Sequence, residues 1–123
     1  MDITPITPKE FNVINGYSST SFTINEKTYE NSLLLSKEQI IEIKLENFLE
    51  IAKFDKKILI DQNPEIFLIG TGKNHQIISN KIKSDLKKLF PNSSISEMNT
   101  GSACRTYNIL ISEGRNVLAL LTK

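Results

Sequence analysis

The second half of the chain alternates short apolar runs with longer segments whose apolar residues recur at helical spacing. Glu65–Ile69 and Val117–Leu121 are almost wholly apolar, as is typical of strands covered on both faces of a sheet. Gln76–Phe90 has an amphipathic helical pattern, Ser94–Met98 has the composition of a strand, and a second amphipathic helical segment follows it. This order predicts two consecutive βαβ-type units. The right-handed crossover rule predicts that both helices pack on one side of the sheet.

The first half of the chain has the period-two alternation that is typical of strands. Phe22–Ile24 alternates apolar with polar side chains, and Asn25-Glu26-Lys27 predicts a tight turn. We therefore predict a β-hairpin over Tyr17–Leu35, in which Thr28–Leu35 is the second strand. A third strand, a helix, and a segment that fits either the end of that helix or a brief strand follow in this order: Ile40–Ile43, Glu46–Phe54 and Ile58–Ile60.

Taken together, these elements predict an α/β fold. We expect a compact three-layer domain with a central mixed, largely parallel sheet, helices and an N-terminal β-hairpin that extends or covers it. Residues 1–10 predict an extended lead-in. The chain of 123 residues has no linker, internal repeat or low-complexity tract, so a single domain over 1–123 is expected.

Composition and charge narrow the function classes. Hydrophobic residues make up 39% and charged residues 24%, which is ordinary for a globular protein. Fifteen basic against fourteen acidic side chains argue against a general nucleic-acid binder. No apolar run approaches the roughly 20 residues that span a bilayer, and Met1–Pro5 does not begin a signal peptide. We expect a cytoplasmic protein without direct membrane insertion. One cysteine and one histidine form no metal cluster, and no cofactor is predicted.

The Gly70-Thr71-Gly72 loop is the first candidate site. It follows a buried strand and precedes a helix, where glycines permit a tight turn and free amides can face an anion. His75 stands where a GxGxxG motif has its third glycine, and the lysine-serine pair of a phosphate-binding P-loop is missing. We therefore favour a structural turn and keep a ligand-facing loop as the alternative.

The start of the second helix is the other candidate. Thr100 or Ser102 can cap the free amides, and Cys104 lies beside Arg105, where a thiolate is favoured. His75 is the one histidine that could serve as a base, so Cys104 and His75 are candidates for a catalytic pair. The apolar face that Cys104 borders favours a buried packing cysteine instead.

Three further residues of this segment have structural and functional interpretations. Arg105 is by default a solvated or paired arginine, but it can also anchor an anionic ligand or lie at a partner interface. Tyr107 is predicted to lie in the core with its hydroxyl on a polar neighbour. Gly114 is predicted to end the helix with a positive φ, with Arg115 facing the terminal carbonyls.

Three stretches carry a resemblance to a known family. The residues Ala103–Asn108 (ACRTYN) with Glu113–Arg115 (EGR), the Gly70–Gly72 loop and the hairpin over 16–35 resemble the Mth938-like family, also called DUF498, in the same order along the chain. Glu26 and Asn31 stand where relatives often have glycine, Asn99 where they often have aspartate, and the tryptophan often found near Ile43 is missing.

The resemblance implies the same fold and a set of possible functions. The family includes a mitochondrial complex I assembly factor that acts by binding other proteins. It therefore implies a small non-enzymatic binding or assembly protein with an unidentified protein partner, acting on a membrane-associated, respiratory complex; homo-oligomerisation stays open. The alternative is a small-molecule- or anion-binding domain or enzyme. Its cleft would be formed by these candidate residues: Gly70, Thr71, Gly72, His75, Thr100, Ser102 and Arg105.

Overall fold

The computed structural model describes residues 11–44, 63–74 and 76–123 of the protein. Within these residues the chain forms a three-stranded sheet, a five-stranded sheet and two helices. Some of the predictions concern residues outside these ranges: the helix over Glu46–Phe54, the segment Ile58–Ile60 and the role of His75. The elements, in chain order, are β1 (Ile14–Tyr17), β2 (Phe22–Ile24), β3 (Lys27–Tyr29), β4 (Ser32–Leu35), β5 (Ile40–Ile43), β6 (Ile66–Thr71), α1 (Asn80–Leu89), β7 (Ser94–Met98), α2 (Thr100–Ser112) and β8 (Val117–Thr122).

The five-stranded sheet has the strand order β5-β4-β8-β6-β7. Strands β8, β6 and β7 are parallel, whereas β4 pairs antiparallel with both β8 and β5. The two apolar runs of the sequence therefore lie side by side in the middle, where every residue of β8 is buried. The α/β class, the mixed sheet and the strands at Ile40–Ile43 and Ser94–Met98 are confirmed.

The two helices pack on opposite faces of this sheet, so the prediction that both lie on one side is wrong. Phe67 and Ile69 of β6 pack with Leu86 of α1, whereas Leu68 between them packs with Ala103 and Tyr107 of α2. The reason is that β7 and β8 flank β6 on opposite sides. The chain consequently crosses in opposite directions in the two units, and crossovers of the same hand then place their helices on opposite faces.

The N-terminal hairpin is shorter than predicted and covers the α2 side of the sheet. Strands β2 and β3 pair antiparallel, and Asn25 and Glu26 between them have φ values of 49° and 72°. Positive φ at both central residues is typical of the two-residue turns that suit hairpins. The prediction of one strand over Thr28–Leu35 is wrong, because the chain leaves the small sheet after Tyr29 and enters the large sheet at Ser32. Side chains of β1 and β2 then pack in one core with those of α2.

The helix starts differ from the predicted ones by a few residues. Helix α1 begins at Asn80 rather than near Gln76, since the Ser79 hydroxyl accepts a hydrogen bond from Ile82 N and caps it. The preceding amide of Ile78 donates instead to the Glu97 carboxylate at 2.6 Å. Helix α2 is capped by Asn99, whose Oδ1 accepts from Ser102 N at 2.8 Å, and not by Thr100 or Ser102.

The end of α2 confirms the predicted glycine stop. Gly114 has a φ of 77°, its amide donates to Ile111 O, and the Arg115 amide donates to Leu110 O. This is the hydrogen-bond pattern of a Schellman motif. The side chain of Arg115 does not face the terminal carbonyls as predicted, because its Nε and Nη2 atoms donate to the two carboxylate oxygens of Glu65 at 3.0 and 3.2 Å.

Candidate functional site

The glycine loop and the start of α2 lie in contact, and their polar groups bind to each other. The Thr100 side chain is fully buried; its Oγ1 accepts from Gly72 N at 2.8 Å and donates to Thr122 O at 2.5 Å. In return, Thr100 N donates to Gly72 O at 2.8 Å. A Cβ at position 70 would lie 2.9 Å from Thr100 Oγ1, so Gly70 allows this close approach. The Gly72 amide is thus already bound within the protein.

The hydroxyl of Thr71, the polar side chain of this loop, makes hydrogen bonds within a turn. Thr71 is fully buried, and its Oγ1 donates to Asn74 O at 2.8 Å and accepts from Gln76 N at 3.0 Å. Gly72 has a φ of 102°, a conformation that residues other than glycine rarely adopt. These contacts match the structural-turn interpretation. The anion-binding role of Gly70, Thr71 and Gly72 stays a prediction.

An open groove with a volume of about 250 Å³ lies between β1 and α2. Its α2 wall carries residues at spacings of three and four, which is one face of a helix. The groove contains the predicted Cys104 and Arg105 together with residues that the sequence analysis did not single out. The lining residues are Ile14, Asn15, Gly16 and Tyr17 from β1, and Gly101, Cys104, Arg105 and Asn108 from α2.

The two walls of the groove are held together by side chains of α2. Asn108 Oδ1 accepts from Ile14 N at 2.9 Å, and Asn108 Nδ2 donates to Ile14 O at 2.7 Å. One amide side chain therefore satisfies both main-chain groups of a residue in an edge strand. Tyr107 is buried as predicted, and its hydroxyl donates to Asn12 O at 2.8 Å. A bulge between Ile14 and Gly16 interrupts the register of β1 at the groove.

Cys104 forms part of the floor of the groove and is 5% exposed. Burial raises the pKa of its thiol to about 12, against a smaller opposing effect of the Arg105 charge. The thiol is therefore protonated at neutral pH, whereas reactive cysteines have a lowered pKa. The predicted packing cysteine is confirmed as buried. The catalytic pair with His75 stays a prediction, because His75 lies outside the described residues.

Arg105 and Tyr17 stand at the mouth of the groove. The guanidinium of Arg105 is exposed, and its Nη2 makes one long contact of 3.3 Å with Ser102 Oγ. Within residues 11–44, 63–74 and 76–123, no carboxylate pairs with Arg105. Tyr17 is half-buried and stacks on Phe22, with ring centroids 5.3 Å apart. Burial, followed by the nearby Cys104, raises the pKa of Tyr17, so its hydroxyl is neutral at physiological pH.

Sequence reasoning found one wall of the groove and missed the other. The helical pattern after Asn99 placed Cys104 and Arg105 at the border between the buried and the exposed face of α2. Nothing local to Asn15, Gly16 or Tyr17 indicated that β1 would lie against this helix. The signal that could have found it is Asn108, a polar residue next to the buried face of α2 whose amide needs a main-chain partner.

The fold is similar to that of solved structures, one of which is described as a Mth938-like domain. A Bordetella pertussis protein described as a Mth938-like domain has a TM-score of 0.73 and 20% sequence identity, over 99% of this chain and 90% of that one. This likeness shows the fold alone. An outer membrane protein from Bartonella henselae has a TM-score of 0.75 and 27% identity, over 91% of this chain and 94% of that one.

The family follows from the sequence match. Residues 14–122 match the family described as "Protein of unknown function (DUF498/DUF598)", and the chain belongs to this family. The "13 kDa major membrane protein" of Francisella tularensis subsp. holarctica (strain LVS) is 33% identical over 107 residues, which cover 85% of either chain. In the part of the chain that the structure describes, no helix has the length and apolar character needed to cross a membrane.

Proposed function

We propose that this protein is a non-enzymatic binding module that assists the assembly of a membrane-associated complex, of the respiratory kind that the resemblance implies. Its partner binds at the groove between β1 and α2. The observation that carries the proposal is the groove itself, because its walls are fixed by hydrogen bonds while its mouth presents an arginine and a tyrosine. Arginine and tyrosine are enriched among the residues that dominate protein–protein binding energies.

The state of the reactive side chains supports binding over catalysis. The Cys104 thiol lies in the groove with a pKa of about 12, so it holds its proton at neutral pH. The Thr100 and Thr71 hydroxyls are fully buried and each makes two hydrogen bonds within the protein. A nucleophile needs a neighbouring base and access to substrate. Neither hydroxyl has that access.

The groove volume also favours a protein partner over a cofactor. Pockets for small molecules and cofactors have volumes of about 300–1,000 Å³. The groove, at about 250 Å³, is smaller and open to one side. It suits one or two side chains of a partner whose remaining residues contact the rim. Ile109 of α2 is 58% exposed and follows Arg105 by four residues, a spacing that places the two side chains next to each other on the helix surface.

The membrane part of the proposal is supported by the names of the relatives. Two of them are described as a major membrane protein and an outer membrane protein. Since the described helices are too short to cross a bilayer, binding to a membrane-embedded partner is a route by which this chain would join a membrane fraction. The cytoplasmic location expected from the sequence is compatible with this route and stays a prediction.

Site-specific photocrosslinking in living cells tests the proposal. A photoreactive amino acid replaces Ile109, one helical turn beyond Arg105, and a matched variant carries it at Lys88, an exposed position on α1 at the opposite face of the sheet. We expect a discrete adduct with a membrane-complex subunit from position 109 and none from position 88. Deleting the gene should lower the amount of that complex on native gels. An unchanged set of membrane complexes after deletion, or equal adducts from both positions, would refute the proposal.

The alternative of a small-molecule- or anion-binding domain or enzyme is favoured by one observation. Arg105 lies in an open cavity without a carboxylate partner in the described part of the chain. Such a site would differ from the predicted one, because β1 forms its second wall in place of the Gly70–Gly72 loop. Thermal-shift screening of nucleotides, phosphorylated metabolites and carboxylic acids tests it. Stabilisation by a small molecule that Arg105→Gln abolishes would support this alternative.

A further inference from the structure

The charge balance of the groove points to the chemistry of its occupant. Eight of the described residues line it, and among these eight Arg105 carries a charge and none is acidic. The other described arginine, Arg115, is neutralised by two hydrogen bonds to Glu65. Lys83 likewise pairs with Glu97 at 2.5 Å. Arg105 thus differs from Arg115 and Lys83: it lies in a concave surface, and no carboxylate of residues 11–44, 63–74 and 76–123 pairs with it.

We propose that Arg105 binds the carboxylate of an acidic residue in an extended segment of the partner protein, with that side chain seated in the groove. This inference rests on the proposed function and names the recognition chemistry. A guanidinium binds a carboxylate through two parallel hydrogen bonds, which fixes orientation as well as charge. Within the described residues, the guanidinium of Arg105 makes one hydrogen bond, to Ser102 Oγ at 3.3 Å. This distance is at the long end of the hydrogen-bond range, and four of the five guanidinium N–H donors have no partner among these residues.

The surroundings of Arg105 suit a glutamate or aspartate side chain rather than a free anion. The Tyr17 ring lies across the groove, close enough that a Cβ at Gly101 would be 3.8 Å from both Tyr17 Cε2 and Arg105 Nη1. This ring offers an apolar surface for the methylene groups of an acidic side chain. A free phosphate or acetate ion would leave that surface and the exposed Ile109 uncovered.

The rigidity of the groove reduces the entropic cost of this binding. Asn108 holds the main chain of Ile14 through two hydrogen bonds, and Asn15 Oδ1 accepts from Glu26 N at 2.9 Å in the hairpin turn. Both walls are therefore in place before the partner arrives. Preorganised surfaces gain affinity because fewer groups must be ordered on binding.

Titrations followed by NMR of the ¹⁵N-labelled protein test the inference with defined probes. The probes are the capped peptide acetyl-Gly-Glu-Leu-Gly-amide, its glutamine twin acetyl-Gly-Gln-Leu-Gly-amide, and sodium phosphate. We expect the acidic peptide to shift the amide signals of Gly16, Tyr17 and Gly101. Its affinity should exceed that of the glutamine twin by about two- to fivefold, the factor that follows from one solvent-exposed ion pair.

Two matched variants separate the role of Arg105 from general charge. Arg105→Gln should remove the preference for the acidic peptide, whereas Arg115→Gln, which removes a charge that is paired with Glu65 outside the groove, should keep it. Equal affinity for the two peptides, an unchanged preference in Arg105→Gln, or the same shifts with phosphate at equal concentration would each overturn the inference. If one of these results is obtained while the crosslinking from position 109 still finds a membrane partner, the carboxylate inference fails and the binding function stands.

Discussion

Replacing Thr100 with valine tests whether the contact between the glycine loop and α2 is a structural joint. Valine has nearly the shape of threonine but lacks the hydroxyl. In the folded protein that hydroxyl accepts from Gly72 N at 2.8 Å and donates to Thr122 O. Thr100 is fully buried, so water cannot replace the lost partner. The substitution therefore strands a donor and an acceptor in the interior.

The magnitude follows from the two stranded groups. A buried polar group that loses its hydrogen-bond partner costs about 1–3 kcal/mol. Two such groups, less the small gain from burying an extra methyl group, predict a loss of about 2–4 kcal/mol in the free energy of unfolding. A domain of this kind has a total stability of about 5–15 kcal/mol. Thr100→Val should therefore be folded at 25 °C but clearly less stable.

Urea denaturation followed by far-UV circular dichroism measures the effect, with Thr106→Val as the control. Thr106 lies on the same helix, is half-buried, and its hydroxyl contacts the Met98 sulfur at 3.5 Å. Losing such a weak contact should change the free energy of unfolding by less than about 0.5 kcal/mol. The reasoning is refuted if Thr100→Val is as stable as the wild type, or if both variants lose the same free energy.

Three other predictions concern Asn108, two glycines and Cys104. Asn108→Ala removes the acceptor of the Ile14 amide and the donor to Ile14 O. We therefore expect a loss of about 1–3 kcal/mol in the free energy of unfolding and faster hydrogen exchange of the Ile14 amide; unchanged exchange would contradict the clamp. Gly114→Ala should lower the free energy of unfolding by about 1 kcal/mol because of its φ of 77°, whereas Gly101→Ala, at a helical position, should raise it by up to about 1 kcal/mol. Urea denaturation measures both, and equal effects would contradict the glycine-stop interpretation. Burial raises the pKa of Cys104 from 9.0 to about 12, so the unfolded chain releases this proton at a lower pH than the folded protein, and the free energy of unfolding falls as pH rises above 9. Between pH 8 and 10 the wild type should therefore lose about 1 kcal/mol more than Cys104→Ala. Equal losses in the two proteins would show that the thiol is exposed.

The candidate site shows where prediction from sequence reached its limit. The pattern after Asn99 located Cys104, Arg105 and Tyr107 on the correct helix, since helical spacing is a local property. It could not show that the amide of Asn108 binds the main chain of Ile14, 94 residues away in sequence. The groove depends on that long-range contact. For the same reason, the predicted cleft was placed at the glycine loop, where the structure has Thr100 bound to Gly72 instead.

Several elements of this protein could be predicted from local patterns, because hydrophobic period, proline and glycine act within a few residues. The buried strands at β6 and β8, the strand Ile40–Ile43 and the glycine stop at Gly114 could all be predicted in this way. The tertiary structure alone decided that β8 lies on the far side of β6 from β7, which places the two helices on opposite faces. Strand order is set by which apolar faces pack best across the whole chain, so no local pattern contains it. That order also decides which face of α2 meets β1, and with it the position of the groove.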